Sequence, residues 1–125
     1  MFTVLVIDDE DGFLQIIQVI LKRAGFRTLV ASSGTEGLEI VYDQRPDIVI
    51  LDDMMPGMTG GEVCMQIKGD PNVRHIPVVM HSAGAKVRNP TYIQQIGADG
   101  VLYKPSLPNE MVETINQCLE ARISR

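Results

Sequence analysis

The chain has little of what marks the more specialised protein classes. Only two cysteines occur in 125 residues, Cys64 and Cys118, and they fall in different helical patterns without CxxC spacing. They read as reduced core or half-core thiols, not as a disulfide framework. No apolar run approaches the roughly 20 residues that span a bilayer, and the N-terminus lacks a charged segment followed by a cleavage site. The expectation is a cytoplasmic protein with no membrane partner. Basic residues are outnumbered, 11 Lys and Arg against 16 Asp and Glu, giving a formal charge of −5. That balance argues against direct binding of nucleic acid. No repeat, low-complexity tract or Gly/Ser linker divides the sequence. Residues 1–125 therefore read as one domain, long enough to bury a single core.

What is present is an alternation. Thr3 to Ile7 is a short β-branched run, followed by apolar residues at helical spacing (Phe13, Ile16, Ile17, Ile20, Leu21) up to Gly25. Thr28 to Ala31 reads as a second strand. Ser33-Gly34-Thr35-Glu36 opens a helix that Pro46 closes. Ile48 to Leu51 is a third strand, and Thr59-Gly60-Gly61-Glu62 caps a helix reaching about Lys68. Ile76 to Met80 is a fourth strand, and Lys86 to Ile96 is helical in part, delayed or kinked by Pro90. Val101 to Tyr103 and then Pro108 to Ile123 complete the order as a strand and a helix. Five strands alternating with helices, the strands continuously apolar, point to an α/β doubly wound parallel sheet with helices on both faces. Ligands in such sheets bind beyond the carboxyl ends of the strands.

Four strand ends deliver chemistry to that edge. The first brings Asp8 and Asp9, the third Asp52 with Asp53 beside it, the fourth His81-Ser82-Ala83, and the fifth Lys104-Pro105. Two carboxylates ~4 Å apart repel by about 4 kcal/mol at an effective dielectric of about 20, so three in one cleft call for a cation. Carboxylates, a carbonyl and water are what Mg²⁺ prefers. Lys104 offers an ammonium and Ser82 a hydroxyl, both suited to an anion brought to that metal. Phosphoryl transfer needs mainly positioning and charge neutralisation, so one carboxylate is a candidate nucleophile. Any one of these acids alone would read as a solvated turn residue; it is their convergence that carries weight.

The segments IDDE after strand one, DIVILDDMMPGMTG, HSA and LYKP occur in order, and with them the chain resembles the receiver (CheY-like) domain of two-component response regulators over essentially its whole length. The resemblance implies a five-stranded sheet in the order 2-1-3-4-5, and Mg²⁺-dependent transfer of a phosphoryl group from a sensor histidine kinase or a histidine phosphotransfer protein. It implies Asp52 as phosphoacceptor, since the family's acceptor lies four residues before the Pro-Gly. Asp9 and Asp52 would ligate Mg²⁺ with the Met54 carbonyl, and Asp8 directly or through water. Ser82 and Lys104 would bind the phosphoryl group, and the Lys104–Pro105 bond matches a position that is commonly cis. Output would pass through the face of the fourth helix and fifth strand to a downstream effector domain or protein. Asp53 falls on a variable position and reads equally as a solvated neighbour or a tuning residue.

The chain also departs from that pattern. The position that often carries a switching aromatic is Val101. Tyr103, one residue before Lys104, is placed the other way by strand alternation and is not read as the missing ring. Ser106 stands where Phe is usual. Met54 and Gly84 occupy positions that tune phosphoryl lifetime, and neither can orient a water, so self-hydrolysis is expected to be slow to moderate. His81 is read as structural or half-exposed, and His75 as solvated. Two further enzyme or binding readings are weaker. Asp9-Glu10-Asp11 matches the DxD of haloacid-dehalogenase-like phosphatases, but Gly12-Phe13 follows it. A flavodoxin-type mononucleotide binder would need amides and hydroxyls where this chain has Asp-Asp-Glu-Asp. A pseudo-receiver acting by contact alone would be expected to have lost at least one of the five site positions. The chain is expected either to act alone by docking or to belong to a longer regulator.

Overall fold

The computed structural model describes residues 1–123. Strand β1 (Thr3–Ile7) leads to α1 (Asp11–Arg23), β2 (Arg27–Ala31), α2 (Gly34–Gln44), β3 (Ile48–Leu51) and α3 (Gly60–Gly69). Then come β4 (Val78–Ser82), a 3₁₀ turn (Lys86–Arg88), α4 (Pro90–Ile96), β5 (Gly100–Tyr103) and α5 (Pro108–Ile123). All strand pairs are parallel and the sheet order is β2-β1-β3-β4-β5. The doubly wound α/β architecture expected from the alternation is the one observed.

Strand alternation sorts the core into two layers. Leu5, Ile7, Val49, Leu51, Val78 and Met80 face α2, α3 and α4, where they meet Leu38, Val41, Val63, Ile67 and Ile96. Val4, Val6, Ile48, Ile50, Val79 and Leu102 face α1 and α5, packing on Leu14, Ile17, Leu21, Met111 and Ile115. Strands β3 and β4 are buried along their whole length and β1 from Val4 onward, which is why their sequences run apolar without alternation. Cys64 is fully buried and Cys118 half-buried, both as free thiols.

One strand boundary differs from expectation, and two helix ends fall where their prolines place them. Strand β4 lies two residues later than the Ile76–Met80 reading. Pro77 has no N–H to give a ladder, and it is the Val78 amide, donating to Asp99 Oδ2 at 2.8 Å, that starts the strand. His81 and Ser82 therefore belong to the strand, paired with Leu102 and Tyr103. Helix α2 ends before Pro46, at a left-handed Arg45 (φ 48°) whose guanidinium donates to the Asn72 carbonyl at 2.7 Å. Pro90 delays α4 as expected by standing in its first turn, while Asn89 caps the Thr91 amide at 2.9 Å.

Candidate functional site

The carboxyl ends of β1, β3, β4 and β5 meet at one edge of the sheet. Asp8 is 1% exposed and Asp52 5%, while Asp9 is open to solvent. One oxygen from each of the three carboxylates lies within 4.8 Å of the others. Lys104 closes the cluster from β5, its Nζ 2.7 Å from Asp8 Oδ2 and 3.2 Å from Asp52 Oδ2. Burial pulls the Lys104 pKa down, but the bond to Asp8 and the charges of Asp52 and Asp8 outweigh it, and the net direction is up. The ammonium is thus kept charged between two buried acids.

Backbone amides fix the acids. The Glu10 N–H donates to Asp8 Oδ1 at 2.9 Å, and the Met54 N–H donates to Asp52 Oδ1 at 3.1 Å. Asp52 so keeps Oδ1 on its own loop and shows Oδ2 to Lys104. Ser82 is fully buried, and its Oγ accepts from the Gly84 amide at 3.1 Å. The Met54 side chain is exposed, and a Cβ added to Gly84 would lie 2.9 Å from its Sδ, so the two positions expected to set lifetime sit against each other. The Lys104–Pro105 peptide is cis.

The structure decides two readings that the sequence left open. Of the two for His81 the structural one holds: the residue is 2% exposed, its Nε2 pairs with Ser106 Oγ at 2.9 Å and its ring tilts against Phe13 at 5.3 Å. Burial first, then the Lys104 charge, push its pKa down to about 4, against the opposing pull of Asp8 and Asp52. Asp53 is not a solvated neighbour: it is 7% exposed, and its Oδ1 accepts from the Gly61 amide at 2.9 Å and from the Tyr92 hydroxyl at 2.7 Å. Burial and that carboxylate push the Tyr92 phenol well above its ordinary range.

Val101 is half-buried against the α4-side core, and Tyr103, two residues on, shares its face instead of pointing away. Tyr103 is 42% exposed, and its ring lies under the Arg88 guanidinium at 4.3 Å. Two residues of the site region had no role in the sequence reading. Phe13 puts its ring 5.1 Å from Lys104 Nζ, and Tyr92 reaches Asp53. Phe13 follows the acidic loop closely enough to have been suspected. The Tyr92–Asp53 contact spans 39 positions and leaves no local signal. His75 is exposed, as expected.

The sequence model of the response regulator receiver domain matches residues 4–116. The chain belongs to the response regulator receiver family. This receiver is 36% identical over 112 residues to the DNA-binding response regulator MtrA of Mycolicibacterium paratuberculosis, covering 90% of the chain and 48% of the relative. To the phosphate regulon transcriptional regulatory protein PhoB of Pseudomonas aeruginosa it is 32% identical over 117 residues, covering 94% of the chain and 51% of the relative. It thus spans about half the length of the curated relatives it matches. A response regulator receiver domain from Clostridium thermocellum superposes with a TM-score of 0.89 at 31% identity, over 98% of this chain and 97% of that one. A CheY-like receiver from Methanospirillum hungatei shares the fold at a TM-score of 0.92 and 22% identity, over 99% and 98% of the two chains. The protein is a signalling receiver domain of the two-component type. Among the described residues no helix is long and apolar enough to cross a membrane.

Proposed function

We propose that this receiver is a cytoplasmic switch whose Asp52 takes a phosphoryl group from the phosphohistidine of a sensor kinase or a histidine phosphotransfer protein. An Asp52 carboxylate oxygen attacks phosphorus, the P–N bond to the donor histidine breaks, and that nitrogen recovers a proton. The observation that carries this reading is the placement of Asp52: nearly buried, one oxygen held by its own loop and the other beside Lys104. A nucleophile so restrained needs little further ordering to reach the in-line position.

The donor set fits a hard divalent cation, since three carboxylates converge within 4.8 Å and, among the described residues, only Lys104 forms ion pairs with them. Asp9 and Asp52, with the Met54 carbonyl, are the ligands we assign, and Asp8 directly or through water. When bound, Mg²⁺ supplies neutralisation of charge on the transferred oxygens. Lys104 adds a fixed positive charge and exchanges its contact with Asp52 for the incoming phosphoryl oxygens. The Ser82 hydroxyl donates to one of them. Met54 and Gly84 present no group that could orient an attacking water, consistent with slow to moderate loss of the phosphoryl group. The protein's own chemistry is then confined to acquiring and hydrolysing this group. Its readout is a change at the α4–β5 face, felt by an effector domain or a separate protein.

Incubation with acetyl phosphate and Mg²⁺, followed by mapping of the modified residue, tests the proposal. Modification at Asp52 that is abolished in Asp52→Ala is the expected result. Modification at Asp9 instead would favour a DxD-type phosphatase, and none at all would favour a contact-only receiver.

A further inference from the structure

The residue after the acceptor is tied to a different part of the fold from the acceptor itself. Asp53 leaves Asp52 and turns away from the metal-ligating cluster, towards α3 and α4. Its carbonyl accepts from the Gly60 amide at 3.1 Å, and its Oδ1 accepts from the Gly61 amide at 2.9 Å. These are orphan donors of the first turn of α3, so a carboxylate is favoured there by both hydrogen bonding and the helix dipole. The same Oδ1 takes the Tyr92 hydroxyl at 2.7 Å, a short charge-assisted bond in a buried place. A Cβ on Gly61 would collide with the Tyr92 hydroxyl, so the glycine is what lets the phenol reach in.

Tyr92 also touches the other moving part. Lys86 of the 3₁₀ turn holds its ammonium 5.7 Å from the centre of the Tyr92 ring. Gly84, Ala85 and Lys86, which begin two residues after Ser82, line one cavity with Asp53 and Met54. A negative group on Asp52 attracts both the Ser82 hydroxyl and the Lys86 ammonium, and so pulls the 82–86 segment towards the acceptor and away from the Tyr92 ring. The Tyr92–Asp53 bond resists, because it pins α4 to the loop as it stands before transfer. Helix α4 has only seven residues. Its C-terminal end is held by Ile96 in the core and by the Cys64 thiol donating to the Ile96 carbonyl at 3.3 Å, so the Tyr92 bond is what ties its N-terminal half to the acceptor loop.

We infer that Tyr92 is a positioning residue, a latch whose hydroxyl, bound to Asp53, holds α4 in the arrangement that precedes phosphorylation. The inference rests on Asp52 being the acceptor. The latch stabilises the state that binds a phosphoryl group less well, so removing it tightens binding of a phosphoryl mimic.

The test measures affinity for beryllofluoride in the presence of Mg²⁺, with amide exchange of residues 90–96 read alongside. Tyr92→Phe is expected to bind beryllofluoride about ten- to a hundredfold more tightly, as the loss of one charge-assisted hydrogen bond from the resting state implies. Its α4 amides should exchange faster than those of the parent before any mimic is added. In an Asp53→Ala background the same Tyr92→Phe change should have no effect on affinity, because the hydroxyl has no partner there to lose. An affinity within twofold of the parent, a weaker one, or an equal tightening in the Asp53→Ala background would each overturn the latch. If the parent protein itself shows no binding that depends on Asp52, it is the phosphoacceptor reading that fails, which is a separate and visible outcome.

Discussion

At position 81 the chain buries a histidine inside a strand whose neighbours Val79 and Met80 are aliphatic. Its Nε2 is paired with Ser106, while Nδ1 has no partner among the described residues. A ring in that position is comfortable only when neutral, because charging it would place a cation near Lys104 in a dry setting. The folded pKa, about 4, lies below the ordinary value of 6.5. The unfolded chain therefore binds the extra proton first as pH falls, and stability drains away between those two values. The contribution is fully present above about pH 6.5 and is lost towards about pH 4, an effect of about 2–3 kcal/mol. Urea unfolding at pH 7.5 and 4.5 should show the parent losing that much more stability than His81→Leu. Equal losses in the two proteins would mean that the ring is not held neutral.

At the scale of elements, the start of α3 decides where the acceptor loop sits. A Cβ on Gly60 would run into the Asp52 carbonyl and come 2.7 Å from Asp53 Cα, and neither is a flexible side-chain end that could swing aside. Gly60→Ala must displace either the helix or the loop, with an expected loss of about 1–3 kcal/mol from overpacking, and phosphorylation of Asp52 should fall with it. Gly12→Ala in α1, where a Cβ meets nothing within 4 Å, should instead stabilise by about 0.5–1 kcal/mol. Thermal or urea unfolding of the two variants reads the contrast, and equal effects would break it. The capping box at Thr59 and Glu62 was legible because its residues lie three apart. So were α5, bounded by Pro108, and the buried strands, marked by unbroken apolar runs. The start of β4 was misplaced because an apolar run does not say which of its residues pair; the missing N–H of Pro77 and the Asp99 carboxylate do. Asp53 was left open for the same kind of reason. Nothing near it in sequence shows that a tyrosine 39 residues later will cover it. Local chemistry was readable, and contacts between distant elements were not.

At the scale of the molecule, the formal charge of −5 is not spread evenly: three carboxylates stand together at one sheet edge with Lys104 bonded to two of them. Asp9 is the exposed member, and it makes the cluster more negative without sharing that ammonium. Its two effects on stability should have opposite signs. Without a divalent cation, Asp9→Asn relieves repulsion and should stabilise the fold slightly. With Mg²⁺, the parent should gain about 1.4 kcal/mol at a tenfold excess over Kd, by binding to the folded state alone. Asp9→Asn should lose most of that gain, because a ligand is missing. The two stability curves against Mg²⁺ concentration should therefore cross. Sodium chloride at matched ionic strength screens exposed charges over about 10 Å at 0.1 M and acts on the whole surface, so it should not reproduce the crossing. Parallel curves for the two proteins, or the same rise with sodium as with magnesium, would mean that the cluster is merely a patch of acidic surface. A crossing requires a site that recognises a small divalent cation.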